Sequence, residues 1–314
     1  MLSSVGEQEK KHTFVNAKDE RHINTERNRM KTELELVNIC VLNAGFAQVD
    51  KRWEGKGLSS PFARLYYVKE GQGTISMPET ELIMKPGHMY LIPSFMPHSI
   101  VCQSGLTFYY LFVYERYGTQ TDIFDLYSFP HEVEANQAID LLFENYCNYY
   151  PELTLPYSSA EDFYAHPSYR EYAIRYTQMD RSQKMQLQGF VWIVASFFIK
   201  KAQKKLQEMD NRLMKIFAYV KNNVSQEIEV EQLANLACVT KSHLERMFRE
   251  KMGISPLQYI LRSKIQCAQR LLITTEYSIN VIAREVGFSD TSYFIRVFRK
   301  RIGFTPQDYR LHLK

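Results

Sequence analysis

Two stretches of the chain set arginines and short hydroxyl side chains on one face of a helix. In "VTKSHLERMFREKMG", Ser242, Glu245, Arg246 and Arg249 recur at helical spacing. In "FSDTSYFIRVFRKRIG", Thr291, Ser292, Arg296, Arg299 and Lys300 do the same. Leu244, Met247 and Phe248, and likewise Phe294, Val297 and Phe298, fall at i, i+3, i+4 on the opposite face, as an anchoring stripe. A guanidinium is a planar fork of donors that matches the O6/N7 edge of guanine or a phosphate. Helices of this kind, anchored on one side and basic on the other, have the chemistry to read an acidic polymer. Glu245 is the exception: it can accept from cytosine N4 or pair with Arg249 one turn on, and the ion pair is the favoured reading.

The elements that position these faces repeat. Ala234 matches Ala283 at an offset of 49, and Arg246/Arg296, Phe248/Phe298, Arg249/Arg299, Gly253/Gly303, Pro256/Pro306 and Tyr259/Tyr309 match at 50. Each copy reads as a short helix, a tight turn and a longer helix. Thr240 is placed to cap the longer helix in the first copy, and Ser289 or Asp290 in the second. Gly253 and Gly303 stop these helices. The segment between the copies is helix-compatible over about 17 residues, on the order of 25 Å. Such a connector can hold two reading helices about one DNA turn, roughly 34 Å, apart. Residues 210–314 carry 17 Lys and Arg against 10 Asp and Glu, whereas the first 209 carry 22 against 25. An acidic partner is therefore expected for the last third alone.

The rest of the chain reads differently. Residues 1–30 are polar and aperiodic, with no apolar leader, and read as a mobile tail. From about Glu33 to Glu115, short β-branched and aromatic runs alternate with turn signals, the pattern of a sandwich or small barrel. From about His131 the period becomes helical. The stretch from Pro151 to Asp180 resists assignment, and Arg181 to Met209 reads as one helix broad enough in its apolar face to form a dimer. The longest apolar run, Phe190–Ile199, is about half a membrane span, so no membrane partner is expected and the cytoplasm is the default location. Five scattered cysteines imply neither a disulfide framework nor a zinc site.

Residues 210–314 closely resemble the DNA-binding domain of AraC-type transcriptional regulators, through "LACVTKSHLERMFREKMGISPLQYI", the connector and "IAREVGFSDTSYFIRVFRKRIGFTPQDYR". The resemblance implies that Ser242, Glu245, Arg246, Thr291, Ser292 and Arg296 sit at base-reading positions. "GHMYLIPSFMPH" resembles the second cupin motif, with Gly87, Pro93 and His98 in place, Phe95 where glycine is usual and Cys102 where asparagine is common. The first motif's metal ligands are absent and Arg64 stands at the glutamate position, so no catalytic residues, metal or cofactor are expected. The region also resembles the effector-binding domain of AraC-type regulators, which implies that Ile100, Tyr110 and Phe112 line a ligand pocket. Alternation puts Tyr110 and Phe112 on one face with Phe108 and Tyr114. Arg64 and His98 are candidates for polar groups in that pocket, with Arg64 alternatively exposed.

The expected fold is α+β and multidomain. It comprises a tail (1–30), a cupin-like β-barrel (31–130), a helical dimerisation segment (131–209) and an all-α double helix-turn-helix domain (210–314). In that last domain the helix-turn-helix units fall at about 230–252 and 279–302, with the connector at 256–273. The expected function is a ligand-responsive activator that binds promoter DNA as a homodimer and contacts RNA polymerase. The alternatives are a regulator whose barrel only dimerises, and a cupin enzyme carrying a DNA-binding tail.

Overall fold

The structure is a computed structural model describing residues 39–115, 124, 127–155, 169–204 and 211–312; the expected tail lies outside them. The described residues form one compact unit.

The first half is built on an antiparallel sheet. Its strands are β1 (Ile39–Val49), β2 (Glu54–Leu58), β3 (Ala63–Met77), β4 (Thr80–Met84), β5 (His88–Ile92) and β6 (His98–Glu115). A short β7 (Tyr127–Ser128) is followed by β8 (Glu132–Glu134), which joins the same sheet. The order is β1-β6-β3-β5-β8, with β2 on β6 and β4 on β3. No ladder joins β1 to β8, so the expected barrel is, among the described residues, an open sheet. β3 and β6, of 15 and 18 residues, run through both halves of the sheet. Register shifts between Val68 and Glu70 and between Gln72 and Gly73 let β3 pair with β5 at one end and β4 at the other.

Alternation sorts the sheet's two faces. Tyr66, Val68, Ile75, Ile100, Phe108, Tyr110 and Phe112 share one buried cluster. It is covered by α2 (Tyr169–Gln178) through Tyr169, Tyr172 and Ala173. Leu65, Tyr67, Tyr109 and Leu111 face the other way, onto α1 (Gln137–Tyr149) and α3 (Arg181–Ile199), where Phe143, Phe190 and Val194 meet them. Burying each such ring contributes about 1.5–3 kcal/mol.

Two helical expectations need correction. The segment after His131 begins as strand β8, and its helix starts only at Gln137, where the Asn136 side chain accepts from the Ile139 N–H at 3.1 Å. The helix expected to run to Met209 stops at Ile199. Beyond it come Lys200 and Lys201, and β9 (Gln203–Lys204) pairs with β7 instead.

Among the described residues seven helices follow: α4 (Asn211–Asn222), α5 (Val230–Leu236), α6 (Lys241–Met252), α7 (Pro256–Thr274), α8 (Ile279–Glu285), α9 (Thr291–Ile302) and α10 (Pro306–His312). The 19 residues of α7 span about 28 Å. Its first half packs with α4, α5 and α6 in a core of Leu213, Phe217, Leu244, Phe248, Tyr259 and Ile260. Its second half packs with α8, α9 and α10 through Ala268, Leu272, Ile282, Phe294, Phe298 and Tyr309. That second core is continuous with the sheet's inner cluster, because α2 packs on both β1 and α7. Among the described residues, no helix is long and apolar enough to cross a membrane.

Candidate functional site

The two copies build the same scaffold. Thr240 Oγ1 accepts from the His243 N–H at 3.2 Å and caps α6. Asp290, rather than Ser289, caps α9, its Oδ1 accepting from the Ser292 N–H at 2.7 Å. Gly253 and Gly303 end these helices at φ 66° and 89°, the left-handed region that favours glycine. Phe248 meets Tyr259 edge-on at 5.7 Å, and Phe298 meets Tyr309 at 5.5 Å. The anchoring stripe is buried as the spacing predicts, except that Val297 is only half-buried.

The opposite faces are open. Ser242, Arg246 and Arg249 of α6 are exposed and Glu245 is half-buried. Arg249 lies 3.8 Å from Glu245 and Arg246 lies 4.0 Å from Glu250, both at i, i+4. Arg246 also reaches His243 Nδ1 at 2.9 Å. On α9, Ser292, Arg296, Arg299 and Lys300 are exposed and Thr291 is half-buried. Between α9 and the first half of α7 runs an open groove lined by Gln258, Leu261, Tyr293, Arg296, Lys300 and Arg301. Arg301 was not singled out by spacing. Partial burial, together with the like charge of Arg262, lowers its pKa. An anion in the groove would offset both effects.

A family model described as a helix-turn-helix domain matches residues 233–312. The lactose operon transcription activator of Staphylococcus xylosus is 33% identical over 94 residues, covering 30% of this chain and 34% of that protein. The arabinose operon regulatory protein of Escherichia coli (strain K12) is 35% identical over 103 residues, covering 32% and 35%. The DNA-binding domain of AdpA, a global transcriptional factor solved in complex with a target DNA, is 31% identical. That match covers 32% of this chain and 89% of that one, with a TM-score of 0.31. Residues 233–312 are thus a helix-turn-helix domain similar in sequence to those of AraC-type regulators. These relatives are transcriptional regulators, not enzymes. The chain spans about a third of the length of the curated relatives it matches.

The first half of the chain holds the other group of predicted residues. Arg64, His98, Ile100, Tyr110 and Phe112 are all buried, which decides against an exposed Arg64. Arg64 donates from Nε and Nη2 to Ser60 Oγ at 3.1 and 2.8 Å. Its guanidinium lies 4.6 Å from the Phe112 ring and 4.9 Å from Phe62. His98 Nδ1 sits 2.9 Å from the Met96 carbonyl. Burial, reinforced by the charge of Arg64, pushes the imidazole down to about 4, so it is neutral at physiological pH. A neutral ring donating from Nδ1 leaves Nε2 as an acceptor, and that buried atom meets no hydrogen-bond partner among the described residues.

The Tyr110 hydroxyl accepts from the Leu155 N–H at 2.7 Å, so it ties β6 to the segment leading to α2. Ile100 lies farther along the sheet, opposite Ile75. Two residues join the group that spacing did not single out. Tyr169 comes from the stretch that resisted assignment and packs on Phe62 at 4.7 Å beside the Arg64 charge. Tyr66 stands opposite Tyr110 across the β3–β6 ladder.

Phe95 takes φ 62°, so the turn keeps the backbone shape that glycine usually supplies there. Its N–H donates to the Ser60 carbonyl at 2.7 Å and its ring lies 5.2 Å from the Arg270 guanidinium of α7. Among the described residues, no group of three or more His, Cys, Asp or Glu is placed to hold a metal ion.

Proposed function

We propose that the chain is a sequence-specific transcriptional regulator of the cytoplasm. It inserts α6 and α9 into consecutive major grooves of promoter DNA. Ser242, Arg246, Thr291, Ser292 and Arg296 contact base edges, with Glu245 at a base-reading position but paired to Arg249, while Arg249, Arg299 and Lys300 contact phosphates. The observation that carries this reading is the duplication itself: two capped helices with basic, solvent-facing sides, hung on one 19-residue helix. The groove beside α9, with Arg301 and Arg262 close together, fits a phosphate run. Homodimerisation through α3 accords with Met185 and Ile193, large apolar residues exposed on that helix. Contact with RNA polymerase and an activating role follow from the family reading.

A small-molecule effector on the inner face of the sheet would meet Arg64, His98, Ile100, Tyr110 and Phe112. The unpartnered Nε2 of His98 supports a ligand that donates a hydrogen bond. One observation favours a second reading, in which the sheet only supports and dimerises. Tyr66, Phe108, Tyr110 and Phe112 fill the inner face with their own rings, each 0–1% exposed.

The test uses the full chain and duplexes it selects from a random library. Arg246→Ala with Arg296→Ala lowers affinity for the selected duplex by about 1–3 kcal/mol per lost base contact and relaxes specificity there, while Arg249→Ala with Arg299→Ala flattens the salt dependence by about one unit of slope per lost phosphate contact. Unchanged affinity and slope would overturn the assignment. Thermal-shift screening against sugars, bile-type and aromatic compounds separates sensor from scaffold, since a scaffold gives no hit.

A further inference from the structure

Lys264 lies at the middle of α7 and is 5% exposed, yet among the described residues no carboxylate pairs with it. Its ammonium donates to four backbone carbonyls: Val224 at 2.9 Å, Gln226 at 2.8 Å, Val286 at 2.9 Å and Gly287 at 3.0 Å. Three protons serve four oxygens, so at least one is shared. The four acceptors come from two places. Val224 and Gln226 lie in the loop that leads from α4 into the first helix-turn-helix. Val286 and Gly287 form the turn between α8 and α9 in the second.

The two apolar cores lie mainly on either side of this point, with Val224 of the first copy's leading loop joining the second core. One gathers α4, α5 and α6 on Tyr259 and Ile260, before Lys264; the other gathers α8 and α9 on Ala268 and Leu272, after it. Dispersion and hydrophobic contact thus hold each copy to its own half of α7, but such contacts are non-directional. A charge-assisted hydrogen bond is directional and roughly twice as strong as a neutral one. Burial pushes the ammonium down to about 8, with Cys267 and Glu227 opposing the shift, so the group stays protonated at neutral pH. The Phe288 ring lies 5.6 Å from Nζ.

We infer that Lys264 is a positioning residue for DNA recognition: its four-carbonyl cage fixes the second helix-turn-helix relative to the first, and so sets the spacing of base sites the protein accepts. Gly287 is the partner this requires. Its φ is +70°, and a Cβ there would collide with Lys264 Nζ and sit 2.7 Å from the Gln226 carbonyl oxygen. A lysine in this place lets two modules of largely distinct cores act as one rigid reader.

This inference rests on the DNA-binding reading, and the experiment tells the two apart. A duplex enriched from a random library by the wild-type full chain is compared with the same duplex carrying one base pair inserted between the two half-contacts. The insertion displaces one half by about 3.4 Å and rotates it by about 34°. If wild type enriches no duplex, the DNA-binding reading fails and this inference falls with it. If it does, wild type loses more than tenfold in affinity on the inserted duplex.

Lys264→Met, checked by thermal melting, loses about tenfold on the original duplex and discriminates against the insertion less than threefold. Should that variant not fold, Gly287→Ala is read in the same way, since it displaces the ammonium while keeping the charge. Full wild-type spacing discrimination in the folded variant overturns the inference. That holds whether or not overall affinity falls, because a merely structural lysine would weaken binding to both duplexes alike.

Discussion

The two helix-turn-helix copies share a skeleton and differ in what they show to solvent. Their caps, their left-handed glycine stops and their Phe–Tyr contacts correspond one to one. Their faces do not. Helix α6 carries Lys241, Arg246, Arg249 and Lys251 together with Glu245 and Glu250, and the acids lie near its arginines. Helix α9 carries Arg296, Arg299, Lys300 and Arg301 and no acid. Duplication has kept what folds the unit and varied what it meets. The first copy's cations are partly satisfied within its own helix, whereas the second copy's must look outward.

The largest effect should test the shared part. Phe248→Ala and Phe298→Ala should each cost about 3–5 kcal/mol, measured by urea unfolding, because each removes a fully buried ring from the same position in its copy. Costs that differ strongly between the two would break the equivalence of the cores.

The next effect should separate the faces. Arg296→Ala with Arg299→Ala should lower DNA affinity about 100-fold, and Arg246→Ala with Arg249→Ala about tenfold, by fluorescence anisotropy on a selected duplex. The asymmetry follows because exposed i, i+4 pairs hold part of the first copy's charge. Equal losses would remove the proposed division of labour.

The turns give a third, smaller contrast. Cys238 in the first copy takes φ 53° and is exposed, whereas Gly287 takes φ 70° against Lys264. Cys238→Gly should stabilise by up to about 1 kcal/mol through relief of left-handed strain, seen as a higher Tm. Gly287→Ala should destabilise by about 2 kcal/mol, since it adds a collision to the strain. The smallest effects return to the shared part: Gly253→Ala and Gly303→Ala should each cost about 1 kcal/mol, equally, because a Cβ at either meets nothing within 4 Å and only the backbone objects.

Much of the recognition half was legible because its determinants are local. A threonine or aspartate before a helix, a glycine after it and apolar residues at i, i+3, i+4 act within one or two turns. Repetition of the pattern separated design from coincidence. The sheet was legible only strand by strand. Alternation placed Tyr110 and Phe112 on one face, but whether the first and last strands meet depends on bulges in β3 and on long-range pairing. Tyr169 went unread because it joins the inner face from a segment with no period of its own.

The sequence by itself determined the two capped helices, their basic faces, their anchoring stripes and the helix between them, since each is written in neighbouring residues. Only the tertiary structure decided that, among the described residues, β1 and β8 do not pair, that Arg64 is buried and that α3 ends at Ile199. It alone placed Lys264 among four carbonyls from two distant turns. The reason is the same in each case. Backbone carbonyls and strand edges are present at every residue and carry no sequence mark, so which of them a side chain or strand will meet is settled only when the chain has closed on itself.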